Sequence, residues 1–238
     1  MRMSAKRRTE NAPALLLFDI DGTLVRRAGG HHREALVAAV HKVTGLTTTT
    51  DHIPVQGMLD RDILAWMMRD AGASPALVRR TMPALVAKAQ SIYPRRCPSS
   101  LRAKVCPGVR GLLARLARRR IPAGLVTGNL TRIGWTKLDR AGLKPHFRFG
   151  AFAERASSRA GLVRLALREA RQRRYVNGAT HVWLVGDHPN DILAARANGI
   201  RSVAVATGLS DRAELAAHQP DLLLEDLRSL KLEMLFTP

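Results

Sequence analysis

Three short polar strings, each closing an apolar run, hold the residues whose types and spacing could do chemistry. Ala14 to Phe18 is apolar throughout and ends in Asp19-Ile20-Asp21-Gly22-Thr23. Carboxylates two positions apart at a strand end can face one pocket, and Gly22 permits a tight backbone turn beside them. His181 to Val185 delivers a second acidic string, Gly186-Asp187-His188-Pro189-Asn190-Asp191. Pro122 to Val126 runs into Thr127-Gly128-Asn129, where a hydroxyl and free backbone N–H groups can hold phosphate oxygens. Plainer readings exist for each string. Asp19 to Gly22 has the composition of an ordinary acidic turn, and Thr-Gly-Asn is a good turn. Asp191 fits the first turn of a helix, where its charge is favourable. That reading accounts for Asp191 but not for Asp187, and an ordinary turn does not require the whole string after an apolar strand.

The elements that must position these strings alternate. Arg201 to Ala206 runs into Thr207-Gly208 as a further strand, with His146 to Phe149 and Leu222 to Leu224 as weaker ones. Helical stretches lie between: Gly108 to Arg120, with Val109, Leu112, Leu113 and Leu116 on one face, Ser158 to Arg174, and Asn190 to Asn198, closed by Gly199. Strand and helix in alternation predict an α/β fold, a doubly wound parallel sheet with right-handed crossovers. Ligands of such sheets bind at the carboxyl ends of the strands, where all three polar strings fall. Residues 28–102 read differently. His31 to Val43, Asp60 to Ala71 and Pro75 to Tyr93 have helical patterning and no strand. The expected organisation is a basic tail over 1–13, a core over 14–27 and 103–238, and a helical insert over 28–102.

The string Asp19-Ile20-Asp21-Gly22-Thr23 resembles the first motif of the haloacid dehalogenase-like hydrolases. Gly186-Asp187 to Asp191 resembles their fourth motif, Gly-Asp-x-x-x-Asp, and Thr127-Gly128-Asn129 is similar to their second. The likeness runs from about Ala14 to Leu230, with an insert similar to the α-helical caps of the phosphoglycolate phosphatase-like branch. It implies a Mg²⁺-dependent phosphatase with an aspartyl-phosphate intermediate. Asp19 would be the nucleophile and Asp21 the general acid and then base. Asp19, Asp187 and the main-chain carbonyl of Asp21 would hold Mg²⁺, an ion that takes oxygen ligands, with Asp191 in support. Thr127, Gly128 and Asn129 would bind phosphate. His188 stands where a small hydroxyl residue is common in the family and is expected as a bystander or substrate contact.

The family commonly places a Lys on the transferring phosphoryl group, often followed by Pro, and this chain departs from that pattern. Lys144-Pro145 precedes a strand and so falls at the wrong end of the sheet. Arg155 lies in the loop after that strand. Arg159 opens the next helix, where N–H groups and dipole also favour an anion, and a guanidinium can grip two oxygens at once. Arg159 is therefore expected to be the phosphate cation, with Arg155 as its rival. In the insert, Gly57-Met58-Leu59-Asp60-Arg61 resembles a cap loop that dips toward the site and sets substrate choice. A plain helix start capped near Asp60 fits equally.

Composition bounds the alternatives. The 238 residues carry a formal charge of +20, which can attract phosphate esters or nucleic acid. The arginines are scattered along the chain rather than clustered, and no aromatic platform accompanies them, which argues against a nucleic-acid-binding module. Cys97 and Cys106 are too few for a disulfide scaffold and carry no zinc spacing, as expected of reduced thiols in a cytoplasmic protein. No apolar run approaches the roughly 20 residues of a membrane span. Within the family, the presence of Asp21 argues against a dehalogenase. A phosphonate hydrolase would want a reactive lysine in the insert, where Lys42 and Lys88 stand, and a phosphomutase shares the same first steps. Small phosphorylated metabolites such as phosphoglycolate, sugar phosphates and nucleoside monophosphates suit the architecture as substrates.

Overall fold

Six strands form one parallel sheet: β1 (Ala14–Phe18), β2 (Ala123–Val126), β3 (Gly150–Ala151), β4 (His181–Gly186), β5 (Arg201–Val205) and β6 (Leu222–Leu224). Their spatial order is β3-β2-β1-β4-β5-β6. The structure, a computed structural model, describes residues 14–26 and 29–236. The basic tail expected over 1–13 lies outside the described residues, as does the 27/28 junction expected between core and insert. Every residue of β1 is buried. Covered on both faces and paired on both edges, it has no polar side to show, which is why it reads as a continuous apolar run. The chain moves outward from β1 through β2 to β3, then returns to the other side of β1 with β4. The crevice beyond the carboxyl ends of β1 and β4 is thus the point where strand order reverses, the place where sheets of this kind bind ligands.

Between β1 and β2 the chain forms α1 (His31–Thr44), α2 (Asp60–Asp70), α3 (Pro75–Arg96) and then α4 (Val109–Arg118). No strand occurs from 31 to 96 among the described residues. Ser74 caps α3 by accepting from the Leu77 N–H at 3.2 Å, and Pro75 fills the first turn, where a missing N–H costs nothing. Leu36, Leu64, Met67, Leu85 and Tyr93 of these helices are buried in the same apolar cluster as β1. The insert is therefore seated on the core. After β2 come α5 (Thr131–Ala141), α6 (Arg159–Gln172), α7 (Pro189–Arg196) and α8 (Arg212–Ala217). Among the described residues no helix is long and apolar enough to cross a membrane.

Two expectations are corrected. The strand expected at His146 to Phe149 is instead Gly150–Ala151. Pro145 sits in a single tight turn, Lys144–His146, and Phe147 and Phe149 are buried without belonging to a strand. Phe147 meets the Phe18 ring edge-on with centroids 5.9 Å apart. Their apolar character reports burial rather than pairing. The second correction is α5, which has no counterpart among the expected helices. Its buried positions are Ile133, Gly134, Lys137, Leu138 and Ala141, so a lysine occupies an inward place and breaks the apolar period.

Candidate active site

Asp19 continues the sheet by one residue, its N–H donating to the Val185 carbonyl at 3.0 Å. That bond fixes the direction in which the buried carboxylate leaves the strand. Gly22 then turns the chain with φ +83°, and a Cβ there would lie 2.1 Å from Asp187 Oδ2. Only glycine allows both the turn and the close approach of the two acidic loops. The Thr23 hydroxyl donates to Asp187 Oδ1 at 3.0 Å, and Thr207 donates to the Gly22 carbonyl at 2.5 Å.

Asp187 follows β4 directly, and Asp191 stands in the first turn of α7. Asp191 accepts the His188 N–H at 3.3 Å, while His188 Nδ1 accepts the Asn190 N–H at 3.1 Å. Both readings of Asp191 thus hold together: it helps to cap the helix and it faces the site. Asp19, Asp187 and Asp191 are all buried, with potential ligand atoms within 4.8 Å of one another. Arg159 reaches them from the first turn of α6, a helix started by Ser158 accepting from the Gly161 N–H. Its guanidinium lies 3.2 Å from Asp19 Oδ1 and 3.0 Å from Asp191 Oδ1.

Crowding sets the protonation of this group. Burial, with Asp19 and Asp191 as like charges, pushes the Asp187 carboxyl well above its ordinary value. Burial pushes Asp191 up as well; Arg159 pulls it back, Asp19 adds to the rise, and it stands at about 7. Burial works against the Arg159 charge, but Asp191 and Asp19 outweigh it and raise its pKa. Asp19 Oδ1 and Asp191 Oδ1 share the Arg159 Nη1 charge but lack well-formed hydrogen bonds, and Arg159 Nε is a buried donor without an acceptor. Unspent oxygens beside mutually repelling carboxylates fit a hard divalent cation, and unspent guanidinium protons fit the oxygens of an anion.

Asp21 faces the opposite side of the cleft. It takes Lys137 Nζ at 2.7 and 2.5 Å and the Asn129 amide at 2.8 Å. Burial pushes its carboxyl up, but the Lys137 charge and the hydrogen bonds from Lys137 and Asn129 outweigh that effect and hold it below its ordinary value. Lys137 also meets Asn129 Oδ1 at 2.6 Å and His32 Nδ1 at 3.1 Å. Neither Lys137 nor His32 stands out in the sequence.

Residues of all three expected strings line one cleft, while Thr127 and Asp191 lie behind its lining. A cleft of about 410 Å³ is lined by Asp19, Asp21, Asp187, Gly128, Asn129 and Arg159, among others. Thr127 is fully buried at the end of β2, and its hydroxyl accepts from the Asn129 amide at 2.7 Å. The Asn129 side chain is therefore committed to Thr127, Asp21 and Lys137 rather than turned to an anion. Arg155 is half exposed and pairs with Glu169 at 3.5 Å, and Lys144 is exposed near Asp139 at 3.9 Å. Neither lines the cleft. In the insert, Gly57 and Asp60 line the cleft and Arg61 does not. Lys42 and Lys88 are exposed and stand away from it. Cys97 and Cys106 are buried free thiols.

Known proteins resemble this chain in sequence and in fold. The family model for haloacid dehalogenase-like hydrolases matches residues 13–199. The phosphoglycolate phosphatase of Synechococcus elongatus is 29% identical over 215 residues, covering 88% of this chain and 92% of the relative. That of Pseudomonas syringae pv. syringae is 26% identical, covering 92% and 78%. Among solved structures, CbbY from Rhodobacter sphaeroides in complex with phosphate superposes with TM-score 0.68 at 22% identity, over 94% of this chain and 99% of that one. A β-phosphoglucomutase from Clostridium difficile gives TM-score 0.66 at 20% identity, over 92% and 93%. At these identities the structural likeness speaks to fold alone.

Proposed function

The chain belongs to the haloacid dehalogenase-like hydrolases and is a phosphatase, and on that premise we propose that it cleaves a small phosphate monoester through a phosphorylated Asp19. The observation that carries the reading is the meeting of Asp19, Asp187, Asp191 and Arg159 in one buried cluster at the carboxyl ends of β1 and β4. Mg²⁺, held by Asp19, Asp187 and the main-chain carbonyl of Asp21 with Asp191 in support, would neutralise charge between an anionic nucleophile and an anionic ester. The names of the curated relatives favour phosphoglycolate as substrate.

The roles of the side chains follow from their placement. An Asp19 oxygen attacks phosphorus, the P–O bond to the leaving group breaks, and the leaving oxygen takes its proton from Asp21 in the protonated form, which the Lys137 ion pair makes the minor one in the resting cleft. Water then attacks the aspartyl phosphate, Asp21 takes a proton from it, and Asp19 is released with inorganic phosphate. Arg159, the Thr127 hydroxyl and the backbone N–H at Gly128 hold the equatorial oxygens while charge builds on them. Gly57, Met58 and Asp60 of the insert line the cleft, and their cover would limit the access of bulk water to the reacting atoms.

The test is phosphate release from phosphoglycolate and from a generic aryl phosphate. Both should require Mg²⁺ and stop with chelator. Asp19→Asn should abolish release while the variant keeps its circular dichroism and cooperative melting. Full turnover by that variant would remove Asp19 as nucleophile.

A further inference from the structure

We propose that Lys137 is a positioning residue for Asp21, and that His32 and Asp60 tie it to the seated insert. The inference rests on the assignment of Asp21 as acid and base, and it adds a residue and a linkage to that role.

The argument begins with proton counting. A lysine ammonium has three protons and accepts none. Nζ of Lys137 faces three acceptor groups: the Asp21 carboxylate at 2.5 Å, Asn129 Oδ1 at 2.6 Å and His32 Nδ1 at 3.1 Å. One proton serves each. His32 Nδ1 must then accept, so the proton of its neutral ring lies on Nε2. That nitrogen faces the Asp60 carboxylate at 3.1 Å. Asp60 accepts the Leu130 N–H at 2.8 Å as well. Hydrogen bonds thus run outward from Lys137, to Asp21 on one side and through His32 to Asp60 on the other, and each donor has an acceptor.

Place in the fold gives this series its meaning. Lys137 is on α5 and Asp21 follows β1, so both belong to the core. His32 is on α1 and Asp60 opens α2, so both belong to the insert. The Lys137 side chain is only 4% exposed, and a lysine buried to that degree is held by its partners rather than by solvent. With Asn129 on its other side, the Asp21 carboxylate has its orientation set by two donors. Lifting the insert would take His32 from Lys137 and Asp60 from Leu130 together. Lys137, which orients Asp21, therefore keeps all of its partners only when the insert is down.

The test compares the full-length wild type with Lys137→Met, Asp21→Asn and the double variant, with Mg²⁺ saturating and an activated aryl phosphate as substrate. If Lys137 acts through Asp21, Lys137→Met lowers kcat on the order of 100-fold in the wild-type background and less than about threefold in Asp21→Asn, the size expected for disturbing a general acid–base group. KM should change little. His32→Phe should lower kcat in the same sense and also lose its effect in Asp21→Asn. Equal fold-losses in both backgrounds would overturn the proposal, because a merely structural lysine is indifferent to residue 21. The same four proteins are melted without substrate. Additive shifts in Tm would again overturn the coupling, and non-additive shifts support it. Absence of turnover in the wild type would sink the phosphatase reading instead, with the melting cycle still deciding the pair.

Discussion

The Asp60 carboxylate accepts the Leu130 N–H at 2.8 Å, and the Asp60 N–H donates to the Gly128 carbonyl at 2.8 Å. One residue of the insert thus brackets the loop after β2 from both sides. The loop's backbone groups, which would otherwise be orphaned under the insert, are satisfied by it. Asp60→Ala leaves the buried Leu130 N–H without a partner and should cost about 1–3 kcal/mol, read by chemical denaturation. Because the contact is to the loop proposed to bind phosphate, kcat/KM should fall by similar factors on every ester. Arg61→Ala, outside the cleft lining, should leave rate and ranking unchanged. A change of substrate ranking in Asp60→Ala would give Asp60 direct contact with the leaving group.

Arg159 separates from its rivals by burial. It is 8% exposed and meets Asp19 and Asp191, whereas Arg155 and Lys144 are 45% and 56% exposed and pair with acids elsewhere. Arg159→Ala should lose about 2.7–4 kcal/mol of transition-state stabilisation, by analogy with loss of one oxyanion donor. Arg155→Ala and Lys144→Ala should stay within about 0.5 kcal/mol of wild type, as surface substitutions do. The measurement is kcat/KM at saturating Mg²⁺ for all three. Damage from Arg155→Ala with a silent Arg159→Ala would reverse the assignment.

The three crowded carboxylates predict how pH and metal trade places. Folding raises the pKa of Asp187 well above 3.8 and that of Asp191 to about 7. The folded form therefore binds these protons more tightly than the unfolded chain does. Their contribution to stability is complete below the ordinary carboxylate value and is lost as pH rises toward 7. With chelator present, Tm should fall between about pH 5 and pH 8. Mg²⁺ should cancel much of that fall by taking the place of the protons, and its stabilisation should grow with pH. Asp191→Asn should flatten the chelator profile. A wild-type Tm that is flat with pH in chelator would contradict the crowding.

Which parts of this site were legible depended on whether the cause was local. Asp19, Asp187 and Thr127 follow strands buried on both faces, so their positions are marked by where a continuous apolar run stops. Arg159 follows Ser158, a helix-starting residue, and that local signal placed it at the helix end nearest the sheet. Lys137 had no such marker. Its partner Asp21 is 116 positions away, and its inward place in α5 is one that apolar periodicity assigns to Leu or Ala. His32 is similar: its partners Asp60 and Lys137 belong to two other helices. The β3 pairing spans two residues, too few to show a period, while the buried phenylalanines just before it imitate a strand.

Gly128 gives the sharpest test that the insert is seated on the loop after β2. A Cβ at this position would lie 2.4 Å from the Met58 carbonyl oxygen and 3.5 Å from Leu59 Cα. The obstacle is backbone, so no side-chain rotation relieves it. Gly128→Ala must push the insert away, or push the loop that carries Thr127 and the Gly128 N–H. Either movement displaces the groups proposed to hold the phosphate, and a displacement of about 1 Å at a catalytic centre can cost on the order of 100-fold. The loss should appear in kcat/KM for small and large esters alike, since both need the loop. The fold should survive, because β2 and α5 on either side are untouched. Gly178→Ala is the control: it is exposed, with nothing within 4 Å of a Cβ, and should match wild type in Tm and rate. If Gly128→Ala also matched wild type, Met58 could not lie over the loop during turnover, and the insert would have to work from a more open position.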